Sequence, residues 1–142
     1  MSKWIIIRTI LIIAAFVLSA VSGEGSKPTE DVPLLFLPIA FIFGVIALLF
    51  VVGVQRINPW SAKLWRYPDW SINPFQMREP IQFFHFGGYF MVASGAGGLI
   101  HQAFTGQLFF REGVLLTFGT GILAGVRACT VAYQEKMVST PQ

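Results

Sequence analysis

Charge is the scarcest property of this chain. Only 12% of its 142 residues are Asp, Glu, Lys or Arg, whereas a soluble globular domain carries about a quarter. That is too little charge to cover a water-facing surface. Cysteine is scarcer still: the single Cys129 forms no intramolecular disulfide, and no CxxC or Cys/His metal spacing is present. The chain also lacks a Gly-rich phosphate loop, an HExxH pair and a serine-hydrolase elbow. These absences leave thiol-redox, zinc and nucleotide chemistry without support, so neither a metal nor a cofactor is expected.

What is present is apolar and comes in runs. Hydrophobic residues make up 54% of the chain and gather into four segments: 4–22, 33–54, 81–104 and 113–133. A helix rises 1.5 Å per residue, so roughly 20 residues cross the hydrocarbon core, and each segment is long enough. The second is the clearest, since it holds no charge. Its Pro38 is expected about one turn in, where it would bend the helix.

The gaps between runs alternate in character. With the N-terminus inside, the cytoplasmic side takes Lys3, Arg8, Arg56, Lys63, Arg66, Arg78, Arg127 and Lys136, and the outer side only Lys27 and Arg111. This bias places both termini in the cytoplasm. The net charge of +3 therefore follows topology and not a nucleic-acid stripe, and no nucleic-acid partner is expected. A rival reading takes residues 1–22 as a secretory signal ending at Ala20-Val21-Ser22. The retained helix is preferred, with Arg8 snorkelling to the surface. Residues 1–142 then form a single transmembrane domain.

Polar residues inside a membrane are functional candidates by default. His85 and His101 lie 16 residues apart on the third run, about 24 Å along a helix, too far to share a metal. Interfacial polar tips are the plainer expectation for both. Arg127 lies near the inner end of the fourth run, within snorkelling reach. If the first and fourth helices are neighbours, Arg8 and Arg127 would make a positive spot calling for lipid phosphate, Asp69 or Glu79. Small residues recur at four-residue spacing: Ala93 with Gly97, Ser94 with Gly98, and Thr117, Gly121, Gly125 and Cys129. Helix association in lipid depends on close backbone approach, so these faces are expected to pack the third helix against the fourth, with a homodimer as the alternative.

The long inner gap holds three of the four tryptophans and prolines at 59, 68, 74 and 80. No continuous helix crosses it, and Asn58 or Asn73 is expected to start a turn through its side chain. Trp60, Trp65, Tyr67, Trp70 and Phe75, interleaved with Arg66 and Arg78, suit a membrane interface or a protein epitope. The string PDWSINPF (68–75), followed by a Phe- and Gly-rich span, resembles small bacterial inner-membrane proteins. The resemblance implies a location and no mechanism.

The expectation is thus an all-α integral membrane protein: four transmembrane helices, cytoplasmic termini, and an ordered aromatic and basic loop between helices 2 and 3. Its partners would be membrane lipids and either a membrane-protein partner or a second copy of itself. It would act through contacts, as an accessory, assembly or protective subunit of a larger membrane system, and not as an enzyme. The alternative is a small oligomeric transporter or channel, with His85, Tyr89, Ser94, His101 and Gln102 along a polar path. A lipid enzyme using Arg127, His85 and Glu79 comes third.

Overall fold

The computed structural model describes residues 2–22, 35–57, 68–76, 80–105 and 110–139. Among them the regular structure is entirely helical: α1 (Lys3–Ser22), α2 (Phe36–Ile57), α3 (Pro80–Thr105) and α4 (Phe110–Ser139). Lys3–Ser22, Pro80–Thr105 and the Glu112–Val131 part of α4 are long and apolar enough to cross a membrane. The run expected to be the clearest span supplies a shorter apolar helical stretch, Phe36–Phe50. Because α2 starts at Phe36, Pro38 is its third residue. The first four N–H groups of a helix have no acceptor within it, so Pro38 removes no bond there and gives no cause for a bend. Proline also opens α3, at Pro80, where its fixed φ suits a helix start.

The helices touch in the spatial order α1, α3, α4, α2, with a lighter contact between α2 and α3. Among the described residues α1 meets neither α2 nor α4. This differs from a pairing in which Arg8 and Arg127 are neighbours: the two lie on helices separated by α3. The loop segment 68–76 closes over the adjoining ends of α1 and α3.

Burial runs opposite to that of a soluble domain. Phe50 is 71% and Leu18 65% exposed, whereas Arg8 and Gln82 are at 0%. His85 and Gln102 are also buried, while Ile6, Ile10, Phe41, Phe43 and Ile46 face outward. An apolar surface this continuous is untenable in water and fits a lipid solvent, in which polar groups turn toward the protein. Fold and surface together define a helical membrane protein.

Small residues set the packing, and the expected single α3–α4 seam divides into three. A Cβ built on Gly95 would lie 2.7 Å from the Glu112 carbonyl oxygen, and one on Gly119 would lie 2.8 Å from that of Gly88. Gly98 faces the Glu112 side chain. Gly88, Gly95 and Gly98 therefore make the α3 side of the hairpin with α4. Gly97 instead meets α1, at the Phe16 carbonyl and Ala20. Gly121 and Gly125, expected to face α3, face α2 through Phe41 and Leu48. The reason is angular. Residues two apart, such as Gly119 and Gly121, are about 200° apart around a helix, so one glycine-rich helix serves two neighbours. Beside Gly121 and Gly125, Leu48 and Val52 pack with Ile122, Val126 and Cys129 in the core. Thr117 turns its hydroxyl to its own helix, donating to the Gly113 and Val114 carbonyls at 2.9 and 3.1 Å. Ala93 is half-buried.

Candidate functional site

The segment 68–76 is two consecutive turns, each started by a short polar side chain. The Asp69 carboxylate accepts from the Ser71 N–H at 2.8 Å, and the Asn73 side-chain oxygen accepts from the Phe75 N–H at 2.9 Å. Backbone bonds from Ile72 N–H to the Asp69 carbonyl and from Gln76 N–H to that of Asn73 close them. Asn73-Pro74 thus makes the turn its residue types call for, and Asp69 makes the same device one step earlier. The Ser71 hydrogen bonds hold the Asp69 carboxyl below its ordinary range, and the nearby Arg8 charge adds to that depression.

Four contacts fix these turns onto the helix ends. Arg8 Nη2 donates to the Ile72 carbonyl at 2.6 Å. The Ser2 hydroxyl donates to the Ser71 carbonyl at 2.9 Å, and the Asp69 N–H donates to Gln82 Oε1 at 3.0 Å. Pro74 is fully buried, and Phe75 stands edge-on to Phe86 at 5.7 Å between ring centroids. Arg8 does not snorkel. Its guanidinium lies 5.8 Å from the Trp70 ring centre, and the surrounding protein buries it completely. The loop brings carbonyls and an aromatic face to the arginine, which offsets part of the cost of a cation at that depth. Arg8 Nε and Nη1 make no hydrogen bond.

Trp70 links this latch to the histidine. Its ring is 5.7 Å from His85 and 5.2 Å from Tyr89, and His85 and Tyr89 are 5.1 Å apart. His85 is a buried ring in an aromatic cluster, with Nδ1 unpartnered. On its other side lies an open groove of about 700 Å³ between Pro68, α3 and α4. Arg127 lines that groove and is exposed.

His101 does something different. Its Nδ1 lies 2.9 Å from the Ala20 carbonyl, which only accepts, so Nδ1 carries the proton. The last four carbonyls of a helix lack acceptor bonds of their own, and α1 ends at Ser22, so His101 caps α1 from the neighbouring helix. The Ser19 hydroxyl donates to the Ser94 carbonyl at 2.7 Å on the same face. Ser94, Gly97 and His101 form one stripe of α3 facing α1. His85 and His101 lie about 160° apart around α3 by helical periodicity, and they meet different neighbours.

Of the residues expected to make surface contacts, Trp60, Trp65, Arg66, Tyr67 and Arg78 lie outside the described residues, as does Glu79. Trp70 is turned inward, and Phe75 is half exposed, at 53%. Gln82, which holds Asp69, was missed; Arg8 was expected to snorkel or to meet phosphate, Asp69 or Glu79, and instead serves as a latch to the Ile72 carbonyl. Among the described residues no group of three or more His, Cys, Asp or Glu is placed to hold a metal ion. Comparison with protein-family models, curated proteins and solved structures finds no match for this chain.

Proposed function

We propose that this chain is a small polytopic protein of the bacterial inner membrane that acts through contacts, as an accessory, assembly or protective subunit of a larger membrane system. In this reading α2 crosses the membrane with the other three helices, and both termini are cytoplasmic. The observation that carries it is the fixed state of the 68–76 turns. Arg8, Gln82, Ser2 and Phe86 hold the loop in place. Such a loop presents Phe75 and its neighbours in one set geometry, which lowers the ordering cost of binding a partner. The transporter reading is less well supported. The two histidines face different neighbours, about 160° apart around α3.

The test is native electrophoresis of membranes solubilised in mild detergent, with chromosomal-level expression of the tagged chain. The expected result is migration in an assembly heavier than the chain, shifted to the free chain by Phe75→Ser. Migration of the native chain as a lone protein, unaltered by Phe75→Ser, refutes the proposal.

A further inference from the structure

The groove beside His85 has the makings of a lipid site. Its polar end is His85, Tyr89, Arg127 and Thr130, and its walls are apolar, with Leu123 and Val131 among them. Among the described residues no acidic side chain lines it. His85 is nine-tenths buried, lines the groove, and leaves Nδ1 without a hydrogen-bond partner. The Thr130 hydroxyl is committed to the Val126 carbonyl at 2.9 Å, so its remaining capacity is as an acceptor. Arg127 is an exposed cation on an apolar helix and lines the same groove as His85. His85 is five residues from the start of α3, about 7.5 Å along it. The two groups thus stand together near one end of the helices, where the phosphates of a bilayer lie.

We propose that this groove binds one anionic phospholipid. Arg127 holds the phosphate with charge-assisted hydrogen bonds, the form of contact in which a guanidinium and a phosphate oxygen pair best. The Tyr89 hydroxyl and the His85 ring face the headgroup, and an acyl chain runs along Leu123 and Ala124, one turn deeper than Arg127. Charge complementarity selects this occupant: a groove whose described lining carries the Arg127 cation and no carboxylate favours a headgroup with net negative charge over a zwitterionic one. Ala124 is exposed, so the apolar wall continues outward onto lipid-facing surface, as an acyl chain requires. The proposal does not rest on the contact role above, since a lipid-filled groove is compatible with any activity of the chain.

The test uses the full chain in a nonionic detergent, titrated with phosphatidylglycerol, with phosphatidylcholine, with diacylglycerol of the same acyl chains, and with inorganic phosphate. Native mass spectrometry counts bound lipid, and quenching of tryptophan fluorescence by a brominated phosphatidylglycerol reports occupancy. The expected result is one tightly held phosphatidylglycerol per chain, preferred over phosphatidylcholine and diacylglycerol and not displaced by millimolar phosphate. Arg127→Gln weakens it about tenfold, the loss of one charge-assisted hydrogen bond. Arg127 is exposed, so this change leaves helix packing intact. His85→Phe, which keeps a ring between Trp70 and Tyr89, weakens it by a smaller factor. Lys3→Gln, which removes an exposed cation on α1 away from the groove, leaves it within twofold. Equal losses for Lys3→Gln and Arg127→Gln mean diffuse attraction to basic protein and overturn the site. Binding of diacylglycerol as tight as phosphatidylglycerol, or displacement by phosphate alone, overturns it as well.

Discussion

The crossing of α2 over α4 gives the sharpest forecast. A Cβ on Gly44 would strike the Phe118 carbonyl oxygen and lie 3.0 Å from the Ile122 nitrogen, and one on Gly121 would strike the Phe41 carbonyl oxygen. In both cases the obstacle is backbone and cannot rotate away. Gly121→Ala must therefore push the helices apart, at the roughly 1–3 kcal/mol typical of overpacking. Alanine regains about 1 kcal/mol at most as the better helix former, so a net loss of up to about 2 kcal/mol is expected. Gly53 is the control: no atom lies within 4 Å of a Cβ built there, so Gly53→Ala gains the helical preference without the clash. The two crossing glycines also touch each other, the Gly44 Cβ lying 3.2 Å from the Gly121 Cα. Once one alanine has separated the helices, the second costs less, and Gly44→Ala with Gly121→Ala should destabilise by clearly less than the sum of the single changes. Reversible unfolding in mixed detergent micelles measures all four proteins. If Gly121→Ala proves as stable as Gly53→Ala, or if the double change is additive, close approach at this crossing is not what holds α2 to α4.

The remaining predictions concern the latch and the edges. Arg8→Met removes the charge-assisted bond to Ile72 and the contact with Trp70, together on the order of 2 kcal/mol of loop attachment. A cysteine at Pro74, the fully buried position of the loop, in a Cys129→Ala background, should then react with maleimide more than tenfold faster; an unchanged rate contradicts the latch. The folded pKa of Asp69 is depressed, so its contribution is fully present above the ordinary value of about 3.9 and is lost as pH falls through the lower folded value. Hydrogen-exchange protection at the Ser71 amide should fall over that acid window, after correction for intrinsic rates, while the Phe75 amide, held by the non-titrating Asn73, keeps its protection; Asp69→Asn should abolish the difference. Ser19→Ala with His101→Phe removes two polar ties between α1 and the C-terminal half of α3, worth about 1 kcal/mol together in a membrane. Cross-linking between α1 and α3 should drop with the α3–α4 cross-link unaffected.

The helices were legible in the sequence because run length and charge placement depend on the solvent and not on tertiary detail. The expected segments 4–22 and 81–104 match α1 and α3 to within a residue at each end. The Asn73-Pro74 turn was also legible, since its bond is made within four residues of chain. What escaped was the choice of neighbour. A GxxxG pattern says that something approaches Gly121 and Gly125 without saying what, and the short loop between α3 and α4 argued for the wrong partner. The histidines escaped for a related reason. A lone His at the end of an apolar run has the same sequence signature whether it meets headgroups, caps a foreign helix or stands in an aromatic cluster. Arg8 was read as snorkelling because its partner, the Ile72 carbonyl, is 64 residues away and is a backbone group that no side-chain pattern marks.

The buried arginine accounts for more of the architecture than any single apolar contact. A cation near a helix end has an inexpensive alternative, which is to reach the membrane surface. Arg8 forgoes it, although two of its donors go without partners. Such an arrangement persists where the chain around it is organised to favour it, and here α3 and the loop both are. Gln82 on α3 holds the Asp69 amide, Asp69 and Asn73 fold the two turns, and the turns deliver the Ile72 carbonyl and the Trp70 ring to the guanidinium. The same tryptophan then stands against His85 and Tyr89 at the head of the groove. Loop position, the aromatic cluster and the groove are therefore one connected set of contacts. A change at Arg8 should consequently reach lipid occupancy beside Arg127 through Trp70, though α1 and α4 do not touch.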